Sequence, residues 1–325
     1  MVFNLCDKMQ TLKYQRILMF ILLISFIFLP VKLWTYPIIA GISNAIYNLA
    51  EPWRQLFIPA AYRATIVGVA TTLCALVDLR STAIEHAWTS DLLHYREMSI
   101  FLVICAIIFW FLAKNCQQTV ETSNENSEPK LGIKKLVFTY PYIFVFFILS
   151  GLNGGMFYYT YFLASKALPH APASTYQYII YIGSFTGPTV IGLIADRIGI
   201  YSMLVITGIT LTVAQFFLFG LALTHVETPI IYYIIVFIEA ALSQALWILS
   251  ASLVGERLLK QGIFRSFAIS NMAFIFGNIM CSRIFVVFST FLHIKFMFGI
   301  LNFLIMGFII YLNSLDTSTR TSQTA

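Results

Sequence analysis

Two ionisable side chains stand inside long apolar stretches of this sequence, where a charge is costly to bury. Glu239 lies about midway along one apolar run, and Arg283 lies in the outer part of the next. Ionisable residues in such runs usually face the interior of a helix bundle and mark an ion or substrate pathway. Adjacent antiparallel helices would bring these two to similar depth, which predicts an ion pair or a shared substrate or proton site. A pair that only fixes helix packing, or an arginine that extends outward to the membrane surface, is the alternative.

Further polar and aromatic side chains lie in the apolar runs. Glu239, Ser243 and Trp247 are spaced by four residues, so a helix places them on one face. Helix packing alone would explain any single polar or aromatic residue of this kind equally well. As a set, these residues predict a polar-lined cavity at the middle of the membrane. The candidate substrate or coupling residues are Asn153, Tyr158, Tyr159, Glu239, Gln244, Trp247, Asn271, Asn278 and Arg283.

The composition requires that helices position these residues within a membrane. The chain has 325 residues, of which 59% are hydrophobic and 10% charged, and its mean hydropathy is +0.83. A helix needs about 20 mostly apolar residues to cross the hydrocarbon core. Ten such spans are predicted, near residues 17–33, 36–57, 63–84, 97–114, 136–164, 172–195, 200–222, 229–252, 266–288 and 291–313.

The five cysteines are scattered without a spacing typical of metal sites. They are interpreted as small apolar residues in or near helices, so neither a metal nor a cofactor is expected.

One short segment between two apolar runs carries the most specific pattern. Gly192 to Gly199 has the sequence GLIADRIG, an Asp-Arg pair flanked by glycines. It resembles the cytoplasmic loop signature of the major facilitator superfamily of transporters. The resemblance implies an all-α polytopic membrane protein and a secondary active carrier of a small organic solute. It also implies a gating loop made of Gly192, Asp196, Arg197 and Gly199, although Ile200 and Tyr201 stand where the family has basic residues.

The basic residues support the same sidedness. If the segment with Arg197 is cytoplasmic, ten spans put both termini inside. Fourteen lysines and arginines then fall on the cytoplasmic side, five including Lys295 fall outside, and Arg283 lies within a span, which accounts for all 20. Cytoplasmic loops are expected to carry this excess. The predicted location is the plasma membrane or the bacterial inner membrane.

The polar stretch 117–135 is predicted to be a cytoplasmic linker between two helical bundles. Residues 1–116 hold four spans and residues 136–325 hold six. The family has six in each half, so the first two helices are predicted to be lacking. Arg63 followed by small residues resembles the start of the family's fifth helix.

The pattern Gly183-x-x-x-Gly187-Pro188 resembles an antiporter signature of the fifth helix. It falls in the equivalent of the eighth helix, so it does not indicate antiport.

Two alternatives remain open beside the carrier. One is a ten-helix drug or metabolite exporter built from two five-helix repeats, which would place the break near residues 165–170. The other is a non-transporting, degenerate relative acting as a scaffold. An enzyme is disfavoured because HExxH, GxSxG and paired intramembrane aspartates are missing from the sequence. The expected partners are a small solute, a coupling proton and the lipid bilayer, without nucleic acid.

Overall fold

The structure is a computed structural model, and it describes Glu51, Gln55 and residues 58–72, 132–167, 173–224, 228–288 and 290–324. The predicted spans near 17–33 and 97–114 lie outside these residues. Of the span near 36–57 only Glu51 and Gln55 are described, and of the span near 63–84 only its first ten residues.

The described residues form helices joined by short connections, and no strand occurs among them. A 3₁₀ turn, Ala60–Tyr62, leads into α1 at residues 63–72, and a second one, Leu259–Gln261, precedes α7. The other helices are α2 Ile133–Thr139, α3 Pro141–Ala167, α4 Ala173–Ile198, α5 Ile200–Leu223, α6 Pro229–Arg257, α7 Ile263–Val287 and α8 Phe291–Thr324. The prediction of an all-α polytopic membrane protein is confirmed.

Five helices among the described residues, α4 to α8, are long and apolar enough to cross a membrane. The pair α2 and α3 makes a sixth if it is counted as one span, although its two parts are bent by 83°. These six correspond to the last six predicted spans. A helix pairs most of its backbone N–H and carbonyl groups internally, which the hydrocarbon core requires.

The bend between α2 and α3 departs from the prediction of one continuous span from 136. Tyr140 leaves the helical conformation with φ −126° and ψ 51°, and Pro141 begins α3. Proline favours the first helical position because its missing N–H would have no partner there. The residue before a proline is also driven out of the helical region, so the chain breaks at Tyr140.

The chain forms two compact units. The larger comprises Ile58–Leu79, Gly132–Glu256 and Ile269–Ala325; the smaller comprises Met1–Phe57, Arg80–Leu131 and Arg257–Ala268. In the smaller unit, Gln55 Nε2 donates to Glu51 Oε1 at 3.0 Å. All contacts described below lie within the larger unit.

Helix α6 is the most buried of the five spans. On one flank, its residues Tyr232, Ile235 and Val236 pack with Tyr176 of α4 and Leu218 of α5. A separate cluster joins α3, α7 and α8 through Leu152, Cys281, Ile294 and Phe298. Both clusters are apolar side chains packed between helices, which is where membrane bundles gain their packing energy.

Glycines let α4 approach α6 closely. A Cβ added at Gly183 would lie 2.6 Å from the carbonyl oxygen of Phe237, and one at Gly187 would lie 2.5 Å from Cα of Ala241. Small residues four apart allow two helix backbones to meet in this way. The pattern Gly183-x-x-x-Gly187 therefore serves as a packing surface against α6.

Candidate functional site

The segment predicted to be a gating loop is helical almost throughout. Helix α4 continues to Ile198, and α5 begins at Ile200, so Gly199 is the one residue between them. Gly199 has φ +98°, a conformation that glycine adopts without strain. Its N–H donates to Ala195 O at 2.9 Å, and its carbonyl accepts from Met203 N–H at 3.0 Å. The prediction of a loop is corrected to the last two turns of α4 and a one-residue joint, because glycine lets the helices follow each other directly.

Within this segment, the Asp196 carboxylate caps the start of α1. Its Oδ1 accepts from the backbone N–H of Ala64 at 2.9 Å, and its Oδ2 accepts from that of Thr65 at 2.8 Å. The first N–H groups of a helix have no partner inside the helix and carry a partial positive charge. Asp196 therefore supplies both the missing acceptors and the favourable charge. The neighbouring Arg197 is exposed.

Arg63 adds a positive charge to the same place. Its side chain is buried, and it interacts electrostatically with Glu256, at the end of α6, and with Asp196. Three helices, α1, α4 and α6, thus bring charged groups together at one end of the bundle. Such a cluster holds the three helices together only while the charged side chains remain close to one another.

Above this cap, α1 and α4 run antiparallel in close contact. A Cβ added at Gly192 would lie 2.5 Å from the carbonyl oxygen of Ala64. Gly68, one turn farther along α1, faces the carbonyl oxygen of Pro188 at a distance that leaves no room for a side chain. We call this contact the α1–α4 seam.

Hydroxyl groups close the far end of the seam. Thr72 Oγ1 donates to the Phe185 carbonyl oxygen at 2.6 Å and lies 2.8 Å from Thr189 Oγ1. The seam therefore combines backbone contact in its middle with polar contacts at both ends.

The buried partner of Glu239 is Lys295. Lys295 Nζ donates to both carboxylate oxygens of Glu239 at 2.7 Å, and the two side chains are 1% and 6% exposed. The predicted pairing with Arg283 is wrong, because Arg283 is exposed on α7. The sidedness count had placed Lys295 among the outer loop charges, whereas α8 begins at Phe291 and carries Lys295 in its second turn, where the side chain reaches into the bundle.

The surroundings of this ion pair are mostly apolar. Ile294 and Phe298, on either side of Lys295 along α8, are 1% and 0% exposed and pack with Leu152 of α3. Cys281 on α7 belongs to the same apolar cluster. Two charges in such a site are compensated mainly by each other, and removal of one would leave the other buried alone.

Two turns farther along α8, three buried amides bind one another. Asn153 of α3, Gln215 of α5 and Asn302 of α8 are each 0% exposed. Asn302 Nδ2 donates to Gln215 Oε1 at 2.6 Å and to Asn153 Oδ1 at 3.0 Å, while Gln215 Nε2 donates to Asn153 Oδ1 at 2.9 Å. Asn153 Nδ2 in turn donates to Asn302 Oδ1 at 3.0 Å and to the Leu149 carbonyl oxygen at 2.8 Å. We call Asn153, Gln215 and Asn302 the amide triad; it joins three helices by mutual hydrogen bonds.

The other predicted site residues are distributed around α6 and α7. Trp247 lies edge-on between Phe147 and Phe274, with ring centroids 5.4 Å and 4.7 Å away. Gln244, Asn271 and Asn278 are half-buried. Tyr158 and Tyr159 lie on α3, and their side chains are outside the described part of the structure.

Three residues of these sites were not among the predicted candidates: Lys295, Gln215 and Asn302. Each lies within a predicted apolar span, at 291–313 or 200–222. The signal that would have found them is a charged or amide side chain inside such a span.

Comparison with known proteins supports the fold. No family model matches the sequence, and neither does any curated protein. A proton:xylose symporter of the major facilitator superfamily, XylE, solved with 6-bromo-6-deoxy-D-glucose, shares 16% identity, covering 92% of this chain and 79% of that one, with a TM-score of 0.62. The E. coli fucose:proton symporter FucP shares 13% identity, covering 93% of this chain and 84% of that one, with a TM-score of 0.59.

At these identities the likeness establishes the fold. The chain shares the fold of these two symporters, which is the fold that the GLIADRIG resemblance implies. It is an integral membrane protein whose described helices build part of that architecture.

Proposed function

We propose that this chain is a secondary active transporter that moves a small organic solute by alternating access. The observation that carries the proposal is the ion pair of Glu239 and Lys295, buried among apolar side chains. Such a pair contributes little net stability compared with apolar packing. Intramembrane charges are costly and usually serve an ion or substrate pathway.

The contact of Asp196 with α1 supports the alternating part of the mechanism. Alternating access needs contacts that form in one conformation and break in the other. A carboxylate bound to two backbone N–H groups on another helix is of this kind, because it is strong when aligned and is lost when the helices separate. Gly192, Asp196, Arg197 and Gly199 are the proposed gating element.

A proton is the proposed coupling ion, and Glu239 is its proposed acceptor. Protonation of Glu239 would cancel its attraction for Lys295 and weaken the link between α6 and α8. XylE and FucP are proton symporters of xylose and fucose, so monosaccharides are the first solutes to test. Transport, rather than catalysis, is the proposed activity.

The test is solute uptake by the purified protein in liposomes. Vesicles with an acidic outside and an alkaline inside are given a panel of radiolabelled monosaccharides, organic acids and amines, and empty vesicles serve as the blank. The proposal predicts accumulation of at least one solute that collapses when a protonophore removes the pH gradient.

Two results would contradict the proposal in different ways. Uptake that is insensitive to the protonophore would remove the proton as coupling ion. No uptake and no thermal stabilisation by any solute of the panel would favour a non-transporting scaffold.

The proposed orientation places Asp196 and both termini in the cytoplasm, as the basic residues predict. A green fluorescent protein fused after Ala325 and expressed in bacteria tests this, because it fluoresces in the cytoplasm and not after export by the general secretory route. A dark, fully membrane-inserted fusion would reverse the orientation.

A further inference from the structure

Helix α2 is short and stands at a sharp angle to the helix that follows it. It has seven residues, Ile133–Thr139, and is bent by 83° from the start of α3. A helix of that length spans about 10 Å, too short to cross the hydrocarbon core. Helix α3 has 27 residues, Pro141–Ala167, which is long enough to cross the core without α2. With α3 placed across the membrane, α2, bent by 83° from it, runs along the membrane surface.

The membrane face that carries α2 is the one that carries Asp196. Helix α3 leaves that face and α4 returns to it, so the start of α3 and the end of α4 are on the same side. Ring contacts agree with this topology. The ring centroids of Tyr142 and Phe146 on α3 lie 5.9 Å and 6.0 Å from the ring centroid of Tyr201 at the start of α5.

The two sides of α2 differ in character. Leu136 is 0% exposed and faces the protein. Lys134, Lys135 and Phe138 are exposed, Phe138 by 74%. Phe138 is four residues after Lys134 and three after Lys135, so a helix places the aromatic ring beside both ammonium groups.

Neither lysine forms an ion pair with a carboxylate of the residues that the structure describes. Both side chains are exposed, so a lipid headgroup can reach their ammonium groups. An aromatic side chain between two cations at a membrane surface matches a lipid boundary, where the ring enters the acyl region and the ammonium groups stay at headgroup level.

We propose that the outer face of α2, formed by Lys134, Lys135 and Phe138, binds the headgroups of anionic phospholipids. The two ammonium groups contact the phosphate while the Phe138 ring inserts beside the glycerol backbone. This inference rests on the fold and the membrane placement of α3, and it holds whether or not the chain transports a solute.

The experiment measures binding of phosphatidylglycerol to the full-length protein in detergent, by titration and native mass spectrometry, with phosphatidylcholine as the reference lipid. A basic residue near an anionic surface strengthens binding about fivefold. The Lys134→Gln/Lys135→Gln variant should therefore bind phosphatidylglycerol about 30-fold more weakly, while its binding of phosphatidylcholine stays unchanged.

Three controls make the outcome specific. Lys134→Arg/Lys135→Arg should retain binding, because the charge is kept. Arg283→Gln, which removes an exposed charge from the opposite end of the bundle, should not alter binding. Phe138→Ser should weaken the binding of both lipids, because the aromatic ring that inserts beside the lipid is lost.

Either of two results would overturn the proposal. One is equal phosphatidylglycerol affinity for the parent and the Gln pair in samples that retain the parent circular dichroism spectrum. The other is displacement of the lipid by millimolar inorganic phosphate, which would identify a site for a free anion.

Discussion

Lys295 holds Glu239 through both carboxylate oxygens at 2.7 Å, and this contact joins α8 to α6 across 56 residues of sequence. The two oppositely charged side chains are almost fully buried. The state of this pair therefore decides whether α6 and α8 remain joined at that depth.

The Glu239→Gln variant should be strongly destabilised, because it leaves the ammonium group of Lys295 buried without its counter-charge. The expected loss is about 3–5 kcal/mol. The double variant Glu239→Gln/Lys295→Met should recover most of it, since no buried charge remains. Thermal unfolding of the purified variants measures both effects.

The control for Glu239→Gln is Arg283→Gln, which removes an exposed charge from α7. It should change the unfolding temperature little. Equal unfolding temperatures for Glu239→Gln and the double variant would show that Lys295 does not depend on Glu239.

Asp196→Asn should reduce transport without reducing insertion into the membrane. The substitution removes the negative charge from the start of α1 and leaves one acceptor oxygen. A cap of this kind contributes about 1–2 kcal/mol, which would shift a conformational equilibrium by about 5- to 30-fold. Uptake rates normalised to membrane-inserted protein give the measurement.

Ser202→Ala is the matched control for Asp196→Asn, because its exposed hydroxyl lies just beyond Gly199 on α5. It should transport at the parent rate. If Asp196→Asn also transported at the parent rate, the contact of Asp196 with the start of α1 would have no role in gating.

Gly68→Ala should destabilise the α1–α4 seam, because its new methyl group would meet the carbonyl oxygen of Pro188. Overpacking of this kind costs about 1–3 kcal/mol. Gly220→Ala is the control: nothing lies within 4 Å of the added Cβ, and alanine is favoured over glycine in a helix. Opposite shifts of the unfolding temperature are expected, and a Gly68→Ala protein as stable as Gly220→Ala would refute the close contact.

Asn153→Ala should lower stability more than it alters solute affinity. It removes a partner of both Gln215 and Asn302, and each buried polar group left unsatisfied costs about 1–3 kcal/mol. Asn278→Ala, which removes a half-buried amide from α7, should destabilise the protein less. A large rise in KM for Asn153→Ala at unchanged unfolding temperature would instead assign Asn153 to solute binding.

The sequence was sufficient to predict the six spans that the structure describes, because hydropathy is a local property. The six predicted runs from 136 onward match α3 to α8, and the break at Tyr140 was missed because hydropathy does not register a turn between two apolar helices. The pattern Gly183-x-x-x-Gly187 is visible in the sequence, but its packing partner Ala241 is known only from the tertiary structure.

Pairing of polar groups was predicted less well, because it depends on which helix faces meet. Glu239 was identified from its cost in an apolar run, but Arg283 was chosen as its partner from helix order alone. Asn153 was a candidate for solute binding, whereas its hydrogen bonds to Gln215 and Asn302 occupy it within the amide triad. Composition determines that such groups need partners, and tertiary packing determines which partners they find.

The single-residue joint at Gly199 has a mechanical consequence. Helix α4 ends at Ile198 and α5 starts at Ile200. Because a single residue joins the two helices, a tilt of one helix is transmitted directly to the other. A movement that pulls Asp196 from α1 must then also turn Tyr201 against Tyr142 and Phe146.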